Sequence, residues 1–348
     1  MMEVTFYDRE QETKEILDTL RMKPRQITFI YGPINSGKTE LITHLIEELP
    51  EDYVVFYINL RTKLLASYDD FIESLFEMEM ETEGALNKRK ETLAELVSSV
   101  TKVAGIPITK EFIDYVFKDN KPKNAFSYIL KLFEEVVHSG KQPVLVLDEL
   151  QKMGDVKVNG SLIYELFNFF IDLTKEKHLA HVFVATSDSL FIEQVYSEAM
   201  LEGRSEYLLV DDFDYETTSM FMSKYGINDE EREMVWECCG GKLVHLIKLV
   251  NTKLNGGDVV EKVEKMLEEE VSRIIFLLAR NKEKKRDIVD MLSIFASDDE
   301  IKYSDSVNLD LISFLVKRNI LFLDPVRRTI KPQSRLNLSA IREVLRNT

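Results

Sequence analysis

The sequence is short of cysteine, of long apolar runs and of positive charge, and each shortage removes a class of protein. Its two cysteines, Cys238 and Cys239, are neighbours. They cannot staple distant segments, so no disulfide framework and no CxxC metal pair is available, and a reducing, cytoplasmic setting is expected. The longest apolar stretches, 144–147 and 274–279, fall far short of the roughly 20 residues that cross a bilayer. The polar opening MMEVTFYDRE does not read as a signal peptide. The expectation is a soluble chain with no membrane partner. Lys and Arg number 45 against 61 Asp and Glu, a net charge of −16, which excludes a protein that binds nucleic acid over its whole surface.

What is present is core material. In 348 residues, 45% are hydrophobic and 10% aromatic, enough for two or three domains. Five short runs rich in β-branched and aromatic residues stand out: ITFIY at 27–31, YVVFYIN at 53–59, PVLVL at 143–147, HVFVAT at 181–186 and YLLV at 207–210. Most lack polar alternation, as parallel strands covered on both faces do. Helical patterns between them predict an α/β fold over 1–210. The stretch 62–122 is too long for an ordinary crossover and reads as a helical insertion, either a partner surface or extra packing. Beyond 210 the strand signal stops. Three short helical patterns occupy 211–256. Residues 257–348 carry further helices and then two strand-like runs joined at Asp324-Pro325. That order suggests a winged helix-turn-helix with 309–318 as recognition helix.

Gly32-Pro33-Ile34-Asn35-Ser36-Gly37-Lys38-Thr39 is GxxxxGKT, placed directly between ITFIY and the helical pattern that begins TELITHLI with Glu40 in its first turn. Strand, loop and helix in that order make a phosphate cradle. The glycines let successive amides point inward, the helix N-terminus adds positive potential, Lys38 reaches β- and γ-phosphates, and Thr39 can ligate Mg²⁺. A second signal is VLVL followed by Asp148-Glu149. Adjacent acids ending a buried strand are costly unless a cation meets them. Asp148 is expected to support the Mg²⁺ and Glu149 to activate water. Ser187, after HVFVAT, sits where ligands of parallel sheets sit. Arg204, before the last strand, is a candidate to stabilise transition-state charge in its own subunit or a neighbour's, or else a surface ion pair.

Together these segments resemble the archaeal ATPase family of P-loop proteins, which belongs with the STAND ATPases and is related to the AAA+ group. The likeness runs through Phe6-Tyr7-Asp8-Arg9-Glu10, YGPINSGKTEL, VLVLDELQKM, ATSDS and EGRSEYLLVDDFD. It implies a sheet of order 5-1-4-3-2, a helical lid, a C-terminal winged helix, and ATP-driven switching, with Arg9 near the nucleotide. ATP is preferred to GTP because no NKxD segment follows. Two departures are visible. Leu150 stands where the family commonly has Phe. Gly240-Gly241-Lys242-Leu243 lacks the proline of the family's Gly-Gly-x-Pro lid motif, and Lys242 reads as a solvated lysine, the alternative being that it reaches the phosphates itself. The load that such an engine moves is left open between a nucleotide-gated DNA regulator and a protein-interaction switch. The DNA alternative rests on residues 307–348, which hold eight Lys and Arg against three acids, Arg327 and Arg328 among the former, although winged helices also bind proteins.

Overall fold

The computed structural model describes residues 6–347 except 64, 66, 77–91, 100, 110, 111, 113, 114, 117–120, 156–160, 198–200, 305 and 306. Six parallel strands form the main sheet: β1 (Ile27–Tyr31), β2 (Tyr53–Asn59), β3 (Lys102–Ala104), β4 (Gln142–Asp148), β5 (His181–Thr186) and β6 (Ser205–Leu209), in the order β3-β2-β4-β5-β1-β6. The five strands expected from the sequence take the order that the family resemblance implies. β3 is an extra edge strand supplied by the inserted segment, pairing Val55 with Lys102. It is a run of three residues with exposed ends, too short to carry a strand signal.

The absence of alternation in the strands has its cause in burial on both faces. Every residue of β1 and β5 is buried. Phe29, Phe56, Leu145, Leu147 and Val182 enter one apolar layer, while Ile30, Val55, Val146 and Phe183 enter the other beneath helices Glu10–Arg21 and Lys38–Glu48. The inserted segment packs largely into the first layer, through Phe71, Ile72, Phe76, Leu96 and Ile106; part of it lies outside the described residues.

Helices Tyr215–Lys224, Asp229–Cys239 and Leu243–Leu254 enclose a small core of their own around Phe221, Val235, Leu246 and Leu249. The 22-residue helix Val259–Arg280 belongs to two cores: Val263 and Met266 pack into the lid, Ile274 and Leu278 into the C-terminal domain. A boundary at 257 therefore separates chain segments without separating packing. The C-terminal domain adds helices Lys285–Ser293 and Leu309–Val316, an antiparallel sheet of β7 (Ile301–Lys302), β8 (Leu321–Asp324) and β9 (Thr329–Pro332) in order β7-β9-β8, and a closing helix Arg335–Arg346. No helix among the described residues is long and apolar enough to cross a membrane.

Candidate nucleotide site

The loop 32–39 leaves the carboxyl end of β1 and opens helix Lys38–Glu48. Two of its glycines are structurally required. A Cβ on Gly32 would stand 2.1 Å from the Val210 carbonyl oxygen, and Gly37 holds φ at 93°, a left-handed value that only glycine adopts at little cost. Asn35, at φ 61°, is the side-chain type that best tolerates the same region. Lys38 is folded back on the loop: its Nζ donates to the carbonyls of Gly32 (3.0 Å) and Pro33 (2.9 Å) and to Ser36 Oγ (3.3 Å). Burial, reinforced by Lys242, lowers its pKa to about 7.

The acids at the end of β4 face this lysine with different partners. Asp148 Oδ2 accepts from Thr39 Oγ1 at 2.8 Å and from the Tyr57 hydroxyl at 2.9 Å. Burial raises its pKa against both hydrogen bonds. Glu149 occupies the left-handed region at φ 63°, its N–H donating to Ala185 O at 2.9 Å. Its carboxylate accepts from Arg61 Nη2, Gln151 Nε2 and, at 3.3 Å, Ser187 Oγ. Burial opposes the charge, but Arg61 and Gln151 outweigh it and hold Glu149 below its ordinary pKa. The Thr39 and Asp148 oxygens, side by side, suit a hard cation such as Mg²⁺. Among the described residues there is no cluster of three or more His, Cys, Asp or Glu that could hold a metal ion; an ion bound here would be held by Thr39 and Asp148.

A second pair of acids follows β6. Asp212 Oδ1 accepts from Lys242 Nζ at 3.1 Å, and the same amine reaches Ile34 O of the phosphate loop at 2.9 Å. Lys242 is only 3% exposed, which corrects its reading as a solvated lysine. Asp211 Oδ2 accepts from Lys331 of β9 at 2.5 Å. Arg9 Nη2 donates to Ser36 O and Asp211 O, both at 2.7 Å, and its guanidinium lies 4.6 Å from the Phe213 ring centre. Gly241 lets this knot close, since a Cβ there would meet Phe213 O at 1.9 Å.

Between the two acid pairs runs a cleft lined by Asn35, Lys38, Thr39, Glu40, Arg61, Glu149 and Ser187 on the core side and by Leu243 and Ile247 of the lid. It adjoins a more apolar slot walled by Phe6, Tyr7, Phe213, Leu243 and Ile247. The fold thus brings the sequence-derived residues together, with Arg204 as the exception. Arg204 O accepts from Ile27 N at 2.9 Å, at the start of β1. The five residues of β1, at roughly 3.3 Å each, separate it from Gly32. Within its own chain Arg204 cannot be a finger. The arginine that does line the cleft is Arg61, paired with Glu149; its signal in the sequence was a lone Arg after a strand, too common to single out.

Residues 6–249 match the family described as an ATPase domain predominantly from Archaea. This chain belongs to that archaeal ATPase family. Residues 260–345 match the C-terminal domain of the MJ1010-like uncharacterized ATP-binding proteins. The chain is 47% identical over 341 residues to the uncharacterized ATP-binding protein PYRAB09480 of Pyrococcus abyssi, covering 98% of each. It is 46% identical over 354 residues to MJ1659 of Methanocaldococcus jannaschii, covering 98% of this chain and 97% of that one. Among solved structures it resembles the Walker-type ATPase paby2304 of P. abyssi, with TM-score 0.66, 18% identity and 97% and 96% coverage. That likeness is one of fold. The archaeal ATPase family member described here is therefore an ATP-binding protein with a P-loop ATPase fold.

Proposed function

We propose that this family member is a Mg²⁺-dependent ATPase in which the nucleotide site governs how the lid and the C-terminal domain, read as a winged helix, sit on the core. The observation that carries the reading is the convergence of Lys38, Thr39, Asp148 and Glu149 in one cleft. Backbone amides of 32–39 cradle the phosphates, and Lys38 exchanges its loop carbonyls for phosphate oxygens. A Mg²⁺ ion held by Thr39 and Asp148 supplies neutralisation of phosphate charge. Glu149 is the general base. Its carboxylate is engaged by Arg61, Gln151 and Ser187. A γ-phosphate gives the Arg61 guanidinium a stronger anion, which frees Glu149 to take a proton from water and adds a positive charge where the transition state needs one.

Coupling has a physical route. Lys242 of the lid and Arg9 hold phosphate-loop carbonyls, while Asp211 ties to Lys331 of β9. The hairpin of β8 and β9 is itself docked: the Tyr31 hydroxyl donates to Asp324 at 3.0 Å, and Phe322 joins the main core. The switch proposed is release of this docked hairpin when nucleotide changes the phosphate-loop contacts. The test is phosphate release by purified protein with Mg²⁺ and ATP. Wild type should exceed Glu149→Gln by at least about 100-fold, with ATP affinity retained in the variant. Equal rates would remove the hydrolysis claim.

A further inference from the structure

The C-terminal excess of basic residues looks, from sequence, like a surface for DNA on the hairpin. The structure spends much of that charge internally. Lys331 pairs with Asp211 at 2.5 Å, Arg342 with Asp299 at 2.8 Å, Arg335 with Glu237 at 3.6 Å, and Arg327 with Asp324 at 3.9 Å. Arg328 and Arg346 stay exposed without a salt bridge among the described residues, but a denser group of cations lies earlier in the chain. Residues 273–286 hold Arg273, Arg280, Lys282, Lys284, Lys285 and Arg286 against a single acid, Glu283. All six are exposed residues at the end of helix Val259–Arg280, in the short 3-10 turn Lys282–Lys284 and at the start of helix Lys285–Ser293.

Tertiary contacts enlarge this patch. Lys284 Nζ and the Arg318 guanidinium both lie over the Phe314 ring, at 5.3 and 3.6 Å from its centre. Arg273 donates to the carbonyls of Arg318 and Asn319 at 3.2 and 3.1 Å. Lys317 and Arg318 thereby join a surface whose first part is some 40 residues earlier in the chain. Arg273 pairs with Glu270 at 2.5 Å, and Arg286 with Asp290 at 3.8 Å between two highly exposed side chains. Among the described residues, Arg280, Lys282, Lys284, Lys285, Lys317 and Arg318 make no salt bridge. Within the patch stands Phe276, 64% exposed, beside Ile275 at 51%. Phe276 is three residues after Arg273 and four before Arg280, so one helical face carries arginine, ring, arginine.

We infer that this surface binds single-stranded nucleic acid. The cations suit a run of phosphates, in a molecule whose net charge of −16 repels polyanions elsewhere. An exposed ring between arginines suits stacking of an unpaired base, which a duplex does not offer. The site is separate from the nucleotide cleft, so its test does not depend on hydrolysis.

The experiment is fluorescence anisotropy of labelled 20-mer oligodeoxythymidine and oligouridine, titrated with full-length protein over a range of salt. Wild type should bind at low salt. Replacing Lys282, Lys284 and Lys285 together by Glu should weaken binding at least about 30-fold and flatten the salt dependence by about two counterions, at roughly 0.7 per phosphate contact. The milder set Lys282→Gln, Lys284→Gln and Lys285→Gln should lie between. Phe276→Ala should lose about 5- to 10-fold with the slope unchanged. Arg327→Ala with Arg328→Ala should bind as wild type, and every patch variant should keep wild-type phosphate release. No binding at low salt, affinity insensitive to the patch, tighter binding of a duplex of the same length, or binding to phosphatidylserine vesicles without oligonucleotide binding would each overturn the proposal.

Discussion

Two pairs of adjacent acids end strands on the same edge of the sheet, Asp148-Glu149 after β4 and Asp211-Asp212 after β6, and they are handled in opposite ways. The first pair takes its partners from the ATPase core: Thr39, Tyr57, Arg61, Gln151 and Ser187. The second takes its amine partners from other domains, Lys242 of the lid and Lys331 of β9. Burial raises the pKa of Asp212 despite Lys242, while burial at Asp211 is outweighed by Lys331 and its pKa falls. Adjacent acids thus line the nucleotide cleft in one place and fasten domains in the other. Which service it performs depends on whose cations arrive.

Substitutions can separate the two. The largest effect is expected from Lys242→Met, which leaves the largely enclosed Asp212 without its cation; breaking a fully buried pair costs about 3–5 kcal/mol, and with the Asp212 side chain 19% exposed the loss should lie at or below the lower end. Thermal unfolding should show this, and Asp212→Asn in the same chain should restore much of the loss. A double variant no more stable than Lys242→Met alone would deny the pairing its role. Arg61→Ala should behave the other way round. Its side chain is 56% exposed, so stability should change by under about 1 kcal/mol, while phosphate release falls about 100-fold, or about 2.7 kcal/mol in the barrier.

Lys331→Ala breaks a partly exposed contact and should cost about 0.5–1 kcal/mol. Limited proteolysis should nonetheless cut faster around 255–258, if the lysine fastens the C-terminal domain to the core. The smallest effect concerns His245, near the second pair, whose pKa is lowered to about 4 by burial and then by Lys242 and Lys248. The folded pKa lies below the unfolded value of 6.5, so its share of stability is present above pH 6.5 and is lost as pH falls towards 4. His245→Gln should therefore make the acid side of the stability profile shallower, measured as unfolding midpoint against pH.

The parallel strands were legible because burial on both faces leaves an unbroken apolar run, and the phosphate loop because its chemistry requires glycine at fixed positions. Asp148 and Glu149 were legible for a related reason: charge next to four aliphatics needs an explanation in a cation. Lys242 misled because a lysine in a polar, glycine-rich stretch is usually solvated. Only packing of the lid against 212–213 and the loop makes it buried. Arg204 misled because sequence order places it beside a strand without saying which end of the sheet it meets. The register of Ile27 with Ser205 decides that.

Sequence alone determined the engine: a strand–loop–helix phosphate cradle, acids at a strand end and enough apolar residues for several cores. These depend on neighbours in the chain, where backbone conformation and side-chain type act at short range. The tertiary structure decided which cations are used and which are free. Lys331, Arg335 and Arg342 are consumed by carboxylates from distant segments, whereas Lys284 and Arg318 meet over one ring and stay exposed. Charge counted along a chain is fixed by composition; the field that a partner meets depends on where folding brings opposite charges together.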